Sequence, residues 1–148
     1  MKNILVILLI IIIIILSFLG LRKNNTHNSS AEISGVKFNL EIAQTDKQKE
    51  VGLAKYKNIQ KNFAMYFPFE RKDYYSFWMK DMKFPIDILY IDNGRIVAIF
   101  KNVQNPKTNN EKLIVYKPEK LADSVLEISA GLSDEYGFKI GDKLLINN

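Results

Sequence analysis

The chain has 148 residues, 47% of them hydrophobic, with one histidine, no cysteine and a formal net charge of +5. That length fits one domain with its own core, and the lack of cysteine excludes disulfides, thiol chemistry and a lipid-modified cysteine. Lys2, Arg22 and Lys23 belong to the N-terminal segment, and from residue 32 onward 18 basic residues face 16 acidic ones, so with no basic cluster or Arg-rich arm a nucleic-acid partner is not expected.

Residues 4–21 are almost entirely Ile, Leu and Val, broken by Ser17, Phe18 and Gly20. As a helix this run is about 27 Å long, close to the roughly 30 Å hydrocarbon thickness of a bilayer. Residues 1–23 therefore read as a single membrane anchor at residues 4–21 with the domain outside the cytoplasm. The alternative is a cleaved signal peptide that leaves a secreted or periplasmic domain. Leu19, Leu21 and Arg22 make a poor cleavage site, and the small-residue run Ser29-Ser30-Ala31 lies far beyond Leu21. Residues 24–34 open on a polar stretch, Asn24 to Ser30, and read as a flexible tether before a β-rich domain at 35–148. His27 falls in the tether, so the domain lacks the commonest general base and metal ligand.

The domain opens with Val36 to Ala43, whose alternation of apolar and polar residues predicts a half-buried strand. Thr45 and Gln48 form a capping box for a short helix over Asp46 to Ala54, limited by Gly52. Phe63 to Phe69 and Tyr75 to Met79 read as aromatic-rich strands around a charged turn, Glu70-Arg71-Lys72-Asp73. Asp87 to Ile91 and Arg95 to Phe100 are predicted to form a hairpin, because Asn93-Gly94 supplies the positive φ angles of a tight turn. The polar run 101–112 reads as the longest loop. Strands follow at Leu113 to Tyr116, Ser124 to Ser129 and the end of the chain, with a turn at Ala130-Gly131. Short strands at spacings near ten residues with one short helix predict a mainly β fold, a compact antiparallel sandwich or small barrel.

The chemistry concentrates in Phe77-Trp78-Met79-Lys80-Asp81. On a strand Trp78 and Lys80 share one face and Phe77 and Met79 the other. Either Trp78 fills core volume while Lys80 snorkels past it, or the pair is presented to stack on a ring or cation and hold a carboxylate. Asp87 and Glu127 each lie among branched aliphatics, where a buried carboxylate needs a partner. Asp87 reads as structural or as a ligand contact, and with Glu127 as an acid–base or calcium-binding pair. No calcium loop, nucleophile elbow, phosphate-binding glycine loop or zinc motif is present, so the sequence calls for no cofactor and no metal.

The run Phe77-Trp78-Met79-Lys80 followed by Pro85-Ile86-Asp87-Ile88-Leu89-Tyr90-Ile91-Asp92 resembles the bacterial and archaeal family known as domain of unknown function 192. Gly52-Leu53, Met65-Tyr66-Phe67, Val125-Leu126-Glu127 and Ile140-Gly141-Asp142 extend the likeness from Val36 to Ile146. Ala54, Ala64 and Asp81 depart from the family's usual methionine, glycine and asparagine. The resemblance implies a compact β domain of unassigned role. Together these readings lead to the expectation of a membrane-tethered, extracytoplasmic module that binds a small ligand, glycan or envelope protein through Trp78, Lys80, Asp81, Asp87 and Glu127. The alternative is a carboxylate-based or metal-dependent enzyme acting on envelope material.

Overall fold

The computed structural model describes residues 29–108 and 111–147. The apolar run at 4–21 and the tether up to residue 28, with the membrane expectation they carry, lie outside the described residues. Among the described residues no helix is long and apolar enough to cross a membrane.

The elements run β1 (Ser30–Ile33), β2 (Val36–Ile42), α1 (Asp46–Val51) with a 3-10 turn at Gly52–Lys55, β3 (Phe63–Asp73), β4 (Phe77–Trp78), β5 (Ile86–Asp92), β6 (Arg95–Val103), β7 (Val115–Tyr116), β8 (Ala122–Ser129), α2 (Leu132–Glu135) and β9 (Leu144–Asn147). The fold is mainly β, with one short helix and a single further helical turn, α2. Seven strands form one sheet in the order β6-β5-β8-β3-β2-β1-β9, and β4 pairs with β7 in a separate ribbon. The neighbours are antiparallel except β2 and β3. That parallel pair needs a crossover, which α1 and the following turn provide.

The sheet curls into a half-barrel. Its two edges, β6 and β9, meet at one end through a bridge between Arg95 and Lys143. Ile96 N–H donates to Asp142 O at 3.0 Å and Leu144 N–H to Gly94 O at 2.9 Å across this seam. The Arg95 guanidinium donates to Gly141 O at 2.9 Å. A single mixed sheet thus stands where two packed antiparallel sheets were one of the expectations, and partial closure removes part of the exposed edge that a flat sheet would carry.

Both faces of the central strands are buried, which is why β5 reads as a nearly continuous apolar run. Ala31, Ile33, Phe38, Leu89, Leu126 and Ile128 fill the inside of the curl, capped by Leu132 and Phe138. Met65, Phe67, Ile88, Tyr90 and Val125 point the other way, under Leu53, Met79, Met82 and Phe84. On this second face edge-to-face ring contacts run from Phe67 to Phe77 (5.2 Å), Tyr90 (5.9 Å), Phe100 (5.8 Å) and Tyr116 (5.5 Å). Each such contact contributes about 0.5–1.5 kcal/mol beyond area burial. They hold the β4–β7 ribbon to the main sheet.

The capping box at Thr45 forms, with Thr45 Oγ1 accepting from Gln48 N–H at 3.2 Å and Gln48 Oε1 from Thr45 N–H at 2.9 Å. The Asn93-Gly94 hairpin forms as well, with φ of 48° and 68° at the two residues. Several local expectations differ from the structure. Ser30–Ile33 is a strand with Ala31 and Ile33 fully buried, so the sheet takes in residues assigned to the tether. The supposed charged turn at 70–73 continues β3, which bulges after Pro68 and pairs with β8 again at Asp73–Ala122 while the charged side chains project into solvent. Strand β6 extends to Val103 and so shortens the long loop. Beside the hairpin turn Asp92 pairs with Lys72 of β3 at 2.5 Å, and its cross-strand neighbour Arg95 turns to the seam.

Candidate functional site

On the second face a cavity of about 240 Å³ opens between α1, β3 and β4. Its position follows from local sequence. Gly52 ends α1 with φ 49° and ψ −138°, a conformation open to glycine alone, and turns the chain sharply over β3. The short β4 cannot cover what lies beneath, so the ends of the aromatic-rich strands stay partly open.

The walls are aromatic. Phe67, Phe69, Tyr75, Phe77 and Trp78 line the cavity, with Leu53 and Met82 filling between the rings. Phe69 and Tyr75 stack with centroids 3.5 Å apart. Lys49 and Glu50 on α1 and Lys80 in the turn after β4 are the charged groups at the rim of the lining. The Lys49 ammonium lies 4.8 Å from the Phe69 ring centroid, so one wall already attracts a cation.

Glu127 forms the floor. It sits mid-strand on β8, directly opposite Met65 of β3 and Ile88 of β5, and is 5% exposed. Its Oε2 is buried with no hydrogen-bond partner among the described residues. Burial raises the Glu127 carboxyl from its ordinary 4.5 to about 8, so at neutral pH the group is mostly an uncharged acid. Burial, together with the nearby Glu127, also pushes the Tyr90 phenol well above its usual range. The Tyr90 hydroxyl donates to Tyr116 O at 2.8 Å, away from Glu127.

The five residues singled out from sequence separate. Trp78, Lys80 and Glu127 meet at the cavity. Trp78 is 47% exposed, so it does not fill core volume, whereas Phe77 and Met79 on the opposite face pack inward. Asp81 lines an adjoining depression of about 330 Å³ on the far side of Trp78 and Lys80. Asp87 does not line the cavity. It lies on the inside of the curl and opposes Ile128, one register position away from the Ile88–Glu127 pair, so the two carboxylates point to opposite faces of the sheet. The expected Asp87–Glu127 pair is therefore not formed. Asp87 Oδ1 accepts from Asn102 N–H at 2.8 Å and Gly131 N–H at 3.0 Å, and Oδ2 from Ser133 N–H at 2.8 Å. Among the described residues no three His, Cys, Asp or Glu side chains gather as a metal site.

Sequence reasoning missed Phe67, Phe69 and Tyr75 as site residues, reading them only as strand residues. The available signal was the density of rings between Phe63 and Trp78, more than one side of a strand can bury. Gly52 is also part of the site, since a Cβ there would lie 3.5 Å from Phe67 and 3.8 Å from Glu127 Oε2. Gly52→Ala is expected to cost about 1–3 kcal/mol through backbone strain alone, because those contacts are not clashes. Thermal unfolding checks this, and an unchanged melting temperature would show that the turn relaxes freely.

The chain belongs to the family of domain of unknown function 192 (DUF192, "Uncharacterized ACR"), whose model matches residues 28–146. No curated protein matches it. Two crystal structures share the fold. A protein of unknown function from Novosphingobium aromaticivorans DSM 12444 is 26% identical with a TM-score of 0.68, over 78% of this chain and 83% of that one. A "putative transcription regulator" from Sinorhizobium meliloti 1021 is 27% identical with a TM-score of 0.70, over 80% of this chain and 92% of that one.

Proposed function

We propose that this protein is a membrane-tethered, extracytoplasmic β domain that binds a small ligand in the aromatic cavity above Glu127. The observation that carries the reading is the unpartnered, buried Glu127 Oε2 at the base of a cavity walled by rings. Burying an acid without a partner costs free energy, and an apolar pocket with one convergent polar group is the usual form of a small-molecule site. Residues 4–21 supply the anchor in this reading, which places the cavity on the outer side of the membrane. The regulator description of the Sinorhizobium neighbour gains no support from the near-balanced charge of residues 32–148.

Trp78 is the only tryptophan and lines the cavity, so its fluorescence reports occupancy. Titration of the full-length chain with amines, sugars, short peptides and divalent metals is expected to give a saturable change in emission for one class. Phe69→Ala is expected to weaken that response about tenfold or more by removing one wall. If no class changes the emission of folded protein, the cavity is not a binding site.

A second reading rests on the Glu127 value near 8, which suits a general acid or base at neutral pH. Without Asp87 as partner, catalysis on envelope material would fall to Glu127 alone, and a turnover insensitive to Glu127→Gln would rule it out.

A further inference from the structure

Resting on the reading of the cavity as a small-ligand site, we infer that it takes the ammonium end of a small zwitterion. The cationic group sits between the rings and Glu127, and an anionic group faces Lys49 and Lys80 at the mouth. Three observations converge on this chemistry. Ring faces carry negative potential, and aromatic walls beside a carboxyl group are the recurrent receptor for amines and quaternary ammonium groups. Phe69 already accepts the Lys49 ammonium over its face at 4.8 Å. Glu127 Oε2 is enclosed at the floor with no donor, so it lacks the partner that a cation supplies.

The mouth selects the other end of the ligand. Lys49 and Lys80 outnumber Glu50 there, leaving one excess positive charge to meet a carboxylate or phosphate. A simple anion gains nothing from the ring faces or the floor, and a neutral sugar finds few polar partners among Phe67, Phe77, Leu53 and Met82.

The titratable and charged groups around Glu127 are Lys49 and Glu50 from α1, Tyr75 from the β3–β4 segment, Lys80 from the turn after β4, and Tyr90 from β5. A cation against Glu127 favours its ionised form, whereas the empty site at neutral pH holds the acid. Binding therefore releases a proton, and affinity for a permanent cation rises with pH until Glu127 is ionised before binding.

The test is Trp78 fluorescence of the full-length chain in an uncharged polyoxyethylene detergent. The probes are phosphocholine, choline and 3,3-dimethylbutan-1-ol, the uncharged carbon isostere of choline. Choline is expected to bind at least about tenfold tighter than the isostere, and phosphocholine several-fold tighter than choline. Between pH 7 and pH 9 the choline affinity rises about tenfold while that of the isostere stays constant. Glu127→Gln brings choline and the isostere within about twofold, and Lys80→Ala narrows the gap between phosphocholine and choline.

Equal binding of choline and its isostere overturns the inference, and choline binding as tightly as phosphocholine overturns its anionic half. If these probes fail while a sugar or peptide saturates the Trp78 response, the inference fails and the small-ligand reading stands. If nothing saturates the response, both fail.

Discussion

Glu127→Gln is expected to stabilise the domain at pH 9 by on the order of 5 kcal/mol while changing its stability little at pH 4.5. The folded-state carboxyl titrates near 8 against an ordinary 4.5. Between those values the native state holds a proton that the unfolded chain has released. Stability therefore falls as pH rises through this window and levels off above the folded value. Gln keeps the shape and one polar oxygen without the ionisation, so this fall is absent from its profile. Urea or thermal denaturation from pH 4.5 to 9 reads this directly, as a gain of roughly 10–20 °C in melting temperature at the alkaline end. Parallel profiles for the two proteins would show that Glu127 finds a partner or water in solution. The expected gain also bears on function. A side chain whose replacement stabilises the fold is explained by what it does when a ligand is present, as trade-offs between stability and function commonly are.

Local features of the chain were legible in sequence because their causes are local. Thr45 and Gln48 lie three residues apart, and Asn93-Gly94 is a turn in itself, so both form as read. Membership of the DUF192 family was legible from ordered motifs, and Trp78, Lys80 and Glu127 were marked as site candidates by residue type and setting. What was not legible depends on register and closure. Asp87 and Glu127 both sit among aliphatics on neighbouring strands, and a shift of one residue decides whether they share a face. Strand β1 looks polar up to Ser30 and reveals itself only through partners at both ends of the domain, β2 and β9. The cavity walls escaped notice because strand periodicity assigns Phe67 and Phe69 to a buried face without showing that β4 is too short to cover it.

Asp87→Ala is expected to cost on the order of 4 kcal/mol, a large part of the roughly 5–15 kcal/mol that holds a domain of this size together. The reason lies in the three backbone N–H groups that its carboxylate gathers. Asn102 lies near the end of β6, Gly131 follows β8 and Ser133 lies in the first turn of α2, so one fully buried side chain of β5 ties down both the end of β6 and the β8–α2 turn, which lie far apart in sequence. Alanine leaves all three donors without an acceptor, and each charge-assisted bond is worth about 1.5–3 kcal/mol. Asn in the same place keeps Oδ1 for two of them but turns an amide N–H₂ toward Ser133 N–H, so Asp87→Asn is expected to lose about half as much. Because Asp87 lies on the face away from the cavity, the Trp78 response of the molecules that remain folded is expected to be unchanged in Asp87→Asn. This separates a fold-holding role from ligand contact. Loss of the response in folded Asp87→Asn protein, with stability intact, would return Asp87 to the binding site.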